Sequence, residues 1–402
     1  MIIGIIGGGA SGMTAALAAA ASGNEVLLFE RQARVGRKLL ATGNGRCNLS
    51  NTKLDFSNYH GDDPEFAKFA LDSFHVSRTL RWFDSLGLYT VTEDSGRVYP
   101  YSDQANSVVD VLRFALKRAN VNLLTDYEVI KARKTADGFS VESRDKKIIC
   151  DRLIVACGGL AGTKLGGTMS GYQLLRSFGH RVTKLRPALV QVKSDWQGCA
   201  SLKGVRANCH VEIYHNDKLY SQSTGELQFT QYGLSGPVIF EISRDVCQSN
   251  GDWICKLDFI PDYSNENLEH ILQCRRNKDL PVEDFLTGIL HNRLGRILIQ
   301  AARLHGNCPS SDLTDMEIHE LCEIIKGFEV PLTETLGMDS AQVTAGGVVT
   351  ADFDPQTMQS KLVPGLYACG EVLDVDGDCG GYNLQWAWSS GMVAGLHAGG
   401  MV

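Results

Sequence analysis

A chain of 402 residues exceeds what one hydrophobic core usually supports, so two or more domains are expected. Hydrophobic residues make up 44% and charged residues 21%, which excludes a disordered or low-complexity protein. Net charge is −7 with pI near 5.8, a balance that argues against nucleic acid as a partner.

The first segment, Met1 to Asn24, carries no charged side chain and contains "MTAALAAAA", the texture of a signal peptide or membrane anchor. It lacks the basic start of a signal peptide, and its glycines have another explanation. Ile2 to Ile6 is a short apolar strand, and Gly7, Gly9 and Gly12 form G-x-G-x-x-G with Ser11 inside the same loop. An alanine-rich helix follows to about Ser22, Gly23-Asn24 ends it, and Glu25 to Phe29 is a second strand closed by Glu30. That is the β-α-β order of a dinucleotide site. Gly7 permits the tight turn, Gly9 lets the backbone approach a pyrophosphate, and Gly12 lets the helix lie close to the sheet. Glu30 is placed to accept from a ribose hydroxyl, and Arg31 beside it leaves room for a 2′-phosphate. The motif does not separate NAD from FAD.

Six residues after Glu30 begins "GRKLLATGNGRCNLSN", Gly36 to Asn51, with three glycines, three asparagines, three cations and Cys47. Here the chain must turn back along the cofactor. Lys38 and Arg46 can offset phosphate charge, and Leu39, Gly43, Cys47 and Asn48 lie in the same wall. Cys47 has no CxxC partner, so packing is favoured over redox chemistry. Residues 64–86 and 106–119 carry helical apolar spacing. Three strand-like runs follow, "LLTDYEVIKARK", "GFSVESRD" and "KKIICDRLIVA", with Asp137-Gly138 as a hairpin turn. A meander leading to "ACGG", Ala156 to Gly159, suits a dinucleotide domain of the glutathione-reductase type. Its returning chain, with Val129 and Gly158, passes the adenosine and pyrophosphate. "CGGLAGTKLGG" makes a poor second Rossmann loop, since no second strand ending in an acid follows, so no separate nicotinamide domain is expected.

After Pro187 the texture changes. "ALVQVKSD", "VRANCHVEIYH", "LQFTQYGLSGPVIFEIS" and "WICKLDFI" read as strands, and residues 264–330 read as helices. The embedded "GLSGP" is not a hydrolase elbow, because Pro237 replaces its last glycine, and Ser235 reads as a turn serine. Twelve cysteines include no CxxC, and the ten histidines include no HxxxH. Neither a metal site nor a disulfide framework is expected, in keeping with a cytoplasmic location. No apolar run reaches the roughly 18 residues needed to span a bilayer.

The last sixty residues return to the first texture. A strand from Gly365 to Ala368 runs into "CGEVLDVDG", and "GGYNLQWAWSSGMVAG" opens with glycines and continues as a small-residue helix. Glu371 and Asp374 are candidates to accept from ribityl or ribose hydroxyls. The N–H groups near Tyr382, Asn383 and Leu384 suit the negative N1/C2=O edge of a reduced flavin. Dinucleotide elements at both ends of the chain favour FAD over NAD.

Four segments resemble one family, the BaiN-like, aminoacetone-oxidase-like FAD flavoproteins, which are NAD(P)/FAD-dependent oxidoreductases. They are "IIGGGASGMTAA", "GRKLLATGNGRCNLSN", "GELQFTQYGLSGP" and the stretch from Thr344 to Gly391. The resemblance implies an α/β fold, a Rossmann-like FAD domain at 1–187 and 338–402. It is split by an inserted β-barrel-plus-helical domain at 188–337, β-rich over 188–260 and helical over 261–337. It also implies that Lys38, Leu39, Gly43, Arg46, Cys47 and Asn48 lie along the FAD, with Gly370, Glu371, Asn383 and Leu384 at its flavin end. Gln231 and Gln359 depart from the family pattern, which has histidine and glutamate there. Family members are linked to reduction of a C=C conjugated to a ketone in steroid-like bile acids and to oxidation of a small amino-ketone. The expectation is a non-covalent FAD enzyme of the reductase type acting on a small molecule, with NAD(P)H as transient donor. Tyr382 and Cys47 are the candidate catalytic side chains, and a flavin-binding regulatory or tRNA-modifying protein is the competing class. No motif sets an oligomeric state.

Overall fold

The computed structural model describes residues 1–400 except 245, 247–250 and 279. The chain divides into two compact units, Met1–Ala188 with Met338–Val402, and Leu189–Gly337.

The first unit is built on a parallel sheet. Its strands β1 (Ile2–Ile6), β2 (Glu25–Phe29), β3 (Asn122–Leu124), β4 (Arg152–Val155) and β5 (Leu366–Ala368) lie in the order β5-β4-β1-β2-β3. Every neighbouring pair is parallel. A parallel sheet is covered on both faces, which is why these strands read as continuous apolar runs. α1 (Ala10–Ala21) and α2 (Tyr382–Ala398) pack backbone against backbone. A Cβ on Gly391 would lie 2.5 Å from Ser11 O, and one on Gly395 would overlap Ala15 O. Close approach of this kind demands small side chains, and Ala15, Ala16 and Ala19 are fully buried. The uncharged run from Met1 to Asn24 is thus β1 and α1, an interior strand and an interior helix.

Lys131–Thr135, Gly138–Glu142 and Lys147–Cys150 form the expected antiparallel meander. Gly138 turns at φ +126, where a Cβ would overlap Cys150 O. The third strand-like run divides at Asp151: its first half stays in the meander and its second half joins the parallel sheet as β4. The helix expected over 64–86 also divides, into a 3₁₀ turn at Pro64–Ala67 and helices at Lys68–Ser73 and Val76–Leu86. The cause is the Phe74 carbonyl, which accepts from Gln385 Nε2 at 2.9 Å and Ser389 Oγ at 2.7 Å instead of serving a helical ladder. The next helix spans Ala105–Arg118.

The second unit holds an antiparallel sheet with strand order 192–193, 233–235, 218–229, 206–215, 253–258, 328–332. Lys193 N–H donates to Glu334 O at 2.7 Å and Lys193 O accepts from Thr333 N–H at 3.0 Å, so the ladder continues from the last strand to the first. Alternate residues Cys209, Val211 and Ile213 face its core. Helices Asn265–Arg276, Asn292–Ala301 and Asp315–Lys326 complete the unit, the third opened by a Thr314–Glu317 capping box. "PVIFEI", expected as strand, is a short helix at Pro237–Ile242, started by the proline that ends the preceding strand. Among the described residues, no helix is long and apolar enough to cross a membrane, and no group of three or more His, Cys, Asp or Glu could hold a metal ion.

Candidate functional site

The glycines between β1 and α1 have different causes. Gly7 sits at φ +111, where a Cβ would overlap Ala156 O, and a Cβ on Gly12 would overlap Gly7 O. Both are fixed by the protein's own packing. Gly9, the N-cap of α1, has an extended backbone that any residue adopts, and a Cβ there would meet nothing within 4 Å. The space in front of it is open, and the first N–H groups of α1 have no intrahelical partners. An anion such as a pyrophosphate fits that opening. Glu30 closes β2 beside it, accepting from Gly8 N–H at 2.8 Å and Gln32 N–H at 2.7 Å. An ionised carboxylate has about four acceptor sites, so capacity for ribose hydroxyls remains. Tyr127 N–H donates to Glu30 O, which brings the segment carrying buried Val129 beside the same strand end. Arg31 reaches Gly166 O at 2.9 Å.

The stretch Gly36–Asn51 starts at this loop and ends at α2. Gly36 N–H donates to Gly8 O at 2.8 Å. Leu39 is buried, and Gly43, Asn44, Gly45 and Cys47 all take positive φ, a run of tight turns that keeps the backbone exposed on one side. At its far end Asn51 Nδ2 donates to Gly380 O at 3.1 Å, Ser50 Oγ to Gln385 Oε1 at 2.7 Å, and Trp388 Nε1 to Leu49 O at 2.9 Å. Asn48 Oδ1 is buried without a hydrogen-bond partner, and a Cβ on Gly381, the N-cap of α2, would come within 2.9 Å of it. The ladder of α2 begins with Gln385 N–H to Gly381 O, so the N–H groups of the preceding turn, including those of Asn383 and Leu384, lie ahead of it. One continuous wall therefore joins two helix N-termini, the geometry a dinucleotide with a pyrophosphate and a flavin end requires.

Between the two ends lies a polar cluster. Lys38 Nζ is 3.0 Å from Glu371 Oε2, and Glu371 Oε1 accepts from Thr344 N–H at 2.9 Å. A Cβ on Gly159 would come 2.5 Å from Glu371 Oε1, and one on Gly158 would lie 3.8 Å from Oε2. Gly370, at φ +76, sits over Ser11 with its N–H donated to Ser390 Oγ at 2.9 Å. Lys38, Gly158, Glu371, Gly370 and Ser11 are thus brought together, although the sequence reading assigns Gly158 to the adenosine and pyrophosphate side and Gly370 and Glu371 to the flavin end.

Other candidates are engaged elsewhere. The Arg46 guanidinium bonds Glu93 and Asp103 and stacks on Tyr99 at 3.8 Å, so its charge is already paired within the protein. Asp374 is buried and accepts from Asp62 N–H at 3.3 Å, holding a neighbouring turn. Asn383 closes its side-chain amide on Gly377, accepting from its N–H at 2.8 Å and donating to its carbonyl at 2.6 Å. Tyr382 opens α2, its carbonyl accepting from Tyr59 OH at 3.0 Å. Cys47 is fully buried, and desolvation pushes its thiol up to about 12. It stays protonated at physiological pH and is not a redox or nucleophilic centre. In native protein at mildly alkaline pH, an alkylating reagent is expected to label exposed Cys274 and Cys308 and leave Cys47 unmodified, with peptide mapping as the check. Gln385, Thr344 and Ser390 lie inside the family-like stretch Thr344–Gly391 with no residue-level signal to mark them, and Tyr59 lies outside all four family-like segments.

The chain matches the family described as HI0933-like protein Rossmann domain over residues 1–397. It is 41% identical, over 98% of both chains, to 3-dehydro-bile acid delta(4,6)-reductase of Clostridium scindens. It is 32% identical to the ribosomal RNA dihydrouridine synthase of Escherichia coli, over 96% of this chain and 95% of that one. Among solved structures, 3-ketosteroid delta1-dehydrogenase from Sterolibacterium denitrificans shares the fold, with a TM-score of 0.51 at 12% identity over 99% of each chain. With a dinucleotide cradle in its first unit and a match along nearly its whole length, the chain belongs to the HI0933-like Rossmann family and is an FAD-dependent oxidoreductase.

Proposed function

We propose that this enzyme saturates a carbon–carbon double bond conjugated with a carbonyl in a small apolar enone of the 3-oxo bile-acid or steroid class, with NAD(P)H as electron donor. The observation that carries this reading is the 41% identity, over 98% of both chains, with the bile-acid reductase. FAD, when bound, supplies hydride transfer. The N–H groups at the start of α1 and the space at Gly9 would hold its pyrophosphate, and Glu30 would accept from the adenosine ribose. Glu371 and Lys38 would take the ribityl chain, and the N-terminus of α2 with Asn48 Oδ1 would receive the flavin ring.

RNA uridine is the second reading, because the synthase at 32% identity acts on a pyrimidine whose reduced bond also adjoins a carbonyl. Charge favours the small molecule. Residues 189–337 carry 21 Asp and Glu against 13 Lys and Arg, a balance that repels a polyphosphate. In an anaerobic titration, NADPH or NADH is expected to bleach the flavin and a 3-oxo-Δ4 bile acid to restore its colour. Recovery with ribosomal RNA and not with enones would establish the second reading. Bleaching by aminoacetone without a nicotinamide would instead make the enzyme an amino-ketone oxidase.

A further inference from the structure

Beside the N-terminus of α2 lies a histidine–carboxylate pair that no motif announces. Tyr59–His60 pairs antiparallel with Asp376–Gly377, and His60 Nε2 lies 2.7 Å from Asp378 Oδ1. The second carboxylate oxygen accepts from Asn58 Nδ2 at 3.0 Å, and Asp378 O accepts from Asn383 Nδ2 at 3.3 Å. The acid is fixed at both its side chain and its backbone. The His60 and Asp378 side chains are 33% and 31% exposed, so the ring is open to solvent. The same short strand is bolted to the helix, since Tyr59 OH donates to Tyr382 O at 3.0 Å. Other charged groups around His60 are Asp376, directly opposite in the ladder, and Asp62 and Asp374 in the adjoining turn.

We propose that His60, oriented by Asp378, is the proton donor of the reaction. This rests on the reductase reading and deepens it. The substrate's β-carbon takes a hydride from reduced flavin, and the π pair moves through the α-carbon onto the carbonyl oxygen as an enolate. The α-carbon then takes the proton from His60 as the enolate returns to a ketone. The ring regains a proton from water, and NAD(P)H returns the oxidised flavin to its reduced form. Asp378 accepts a hydrogen bond from Nε2–H, which fixes the ring's orientation and leaves Nδ1 as the nitrogen that carries the transferred proton. The other histidines of this unit are unsuited. His180 is buried against Ser360, His75 bonds Ser77, and His397 lies at the far end of α2, about 22 Å along the helix axis from Tyr382.

The test separates the half-reactions by anaerobic stopped flow. His60→Gln is expected to retain flavin and to be bleached by the nicotinamide donor at the wild-type rate. Its reoxidation by the enone should slow by roughly 10²–10⁴-fold and lose its pH dependence. Asp378→Asn should slow the same step less. Independently of turnover, ¹⁵N NMR of the flavin-free chain should show the Nε2–H tautomer at His60, and Asp378→Asn should lose that preference. Wild-type reoxidation in His60→Gln, or a slow step that follows Tyr382→Phe instead, overturns the assignment and leaves the reductase reading standing. A wild-type enzyme that no enone reoxidises refutes the reductase reading and, with it, this role for the dyad.

Discussion

Replacing Gly9 by valine is expected to give a protein that folds, melts as wild type does and retains no flavin through desalting. The reason is local. A Cβ at Gly9 meets no atom within 4 Å, and its backbone is extended, so the chain itself sets no requirement for glycine there. An incoming phosphate group would set one. Branching at this point keeps an anion from the first N–H groups of α1. Losing two charge-assisted hydrogen bonds, about 1.5–3 kcal/mol each, weakens binding by at least roughly 10²-fold. Gly12→Ala is the control of opposite kind: its Cβ overlaps Gly7 O, so the turn must be rebuilt and the melting temperature falls together with flavin binding. Full flavin occupancy in Gly9→Val would show that the loop does not hold the pyrophosphate.

The contrast between those glycines marks where sequence reading is strong. The β1-α1-β2 unit was legible because its demands are local: a tight turn, a close helix, an acid at a strand end. The packing of alanine-rich α1 on small-residue α2 was not legible, because the two helices lie more than 350 residues apart and only the fold brings Gly391 and Gly395 against Ser11 and Ala15. What stayed hidden was which polar groups the chain consumes itself. Arg46 looks like a phosphate ligand until Glu93 and Asp103, 47 and 57 residues away, are found on it. Asn383 stands in the right turn, yet its amide closes on Gly377. His60 is a lone histidine in sequence because its carboxylate lies 318 residues further on. Periodicity fails in the same way at Phe74, where buried side chains from α2 capture a carbonyl and break a helix that spacing alone would continue.

That capture also identifies the residue whose loss should hurt the fold most without touching a ligand. Gln385 is fully buried; its Nε2 donates to Phe74 O at 2.9 Å and Thr79 Oγ1 at 2.8 Å, and its Oε1 accepts from Ser50 Oγ at 2.7 Å. It binds three segments at one point: helix Val76–Leu86 with the turn before it, the wall Gly36–Asn51, and α2. Gln385→Leu has nearly the same volume, so the change is chemical, leaving Ser50 and Thr79 short of partners in an apolar interior. Buried unsatisfied groups cost about 1–3 kcal/mol each, which predicts a loss of roughly 3 kcal/mol and a melting temperature lower by about 6 °C. Ser389 still donates to the Phe74 carbonyl, so the loss should stop short of unfolding. Because Ser50 is two residues from Asn48, flavin affinity should fall as well, and calorimetry beside a flavin titration separates the two effects. A variant as stable as wild type would mean that the wall is held by its backbone bonds alone, and that Gln385 orders nothing at the flavin end.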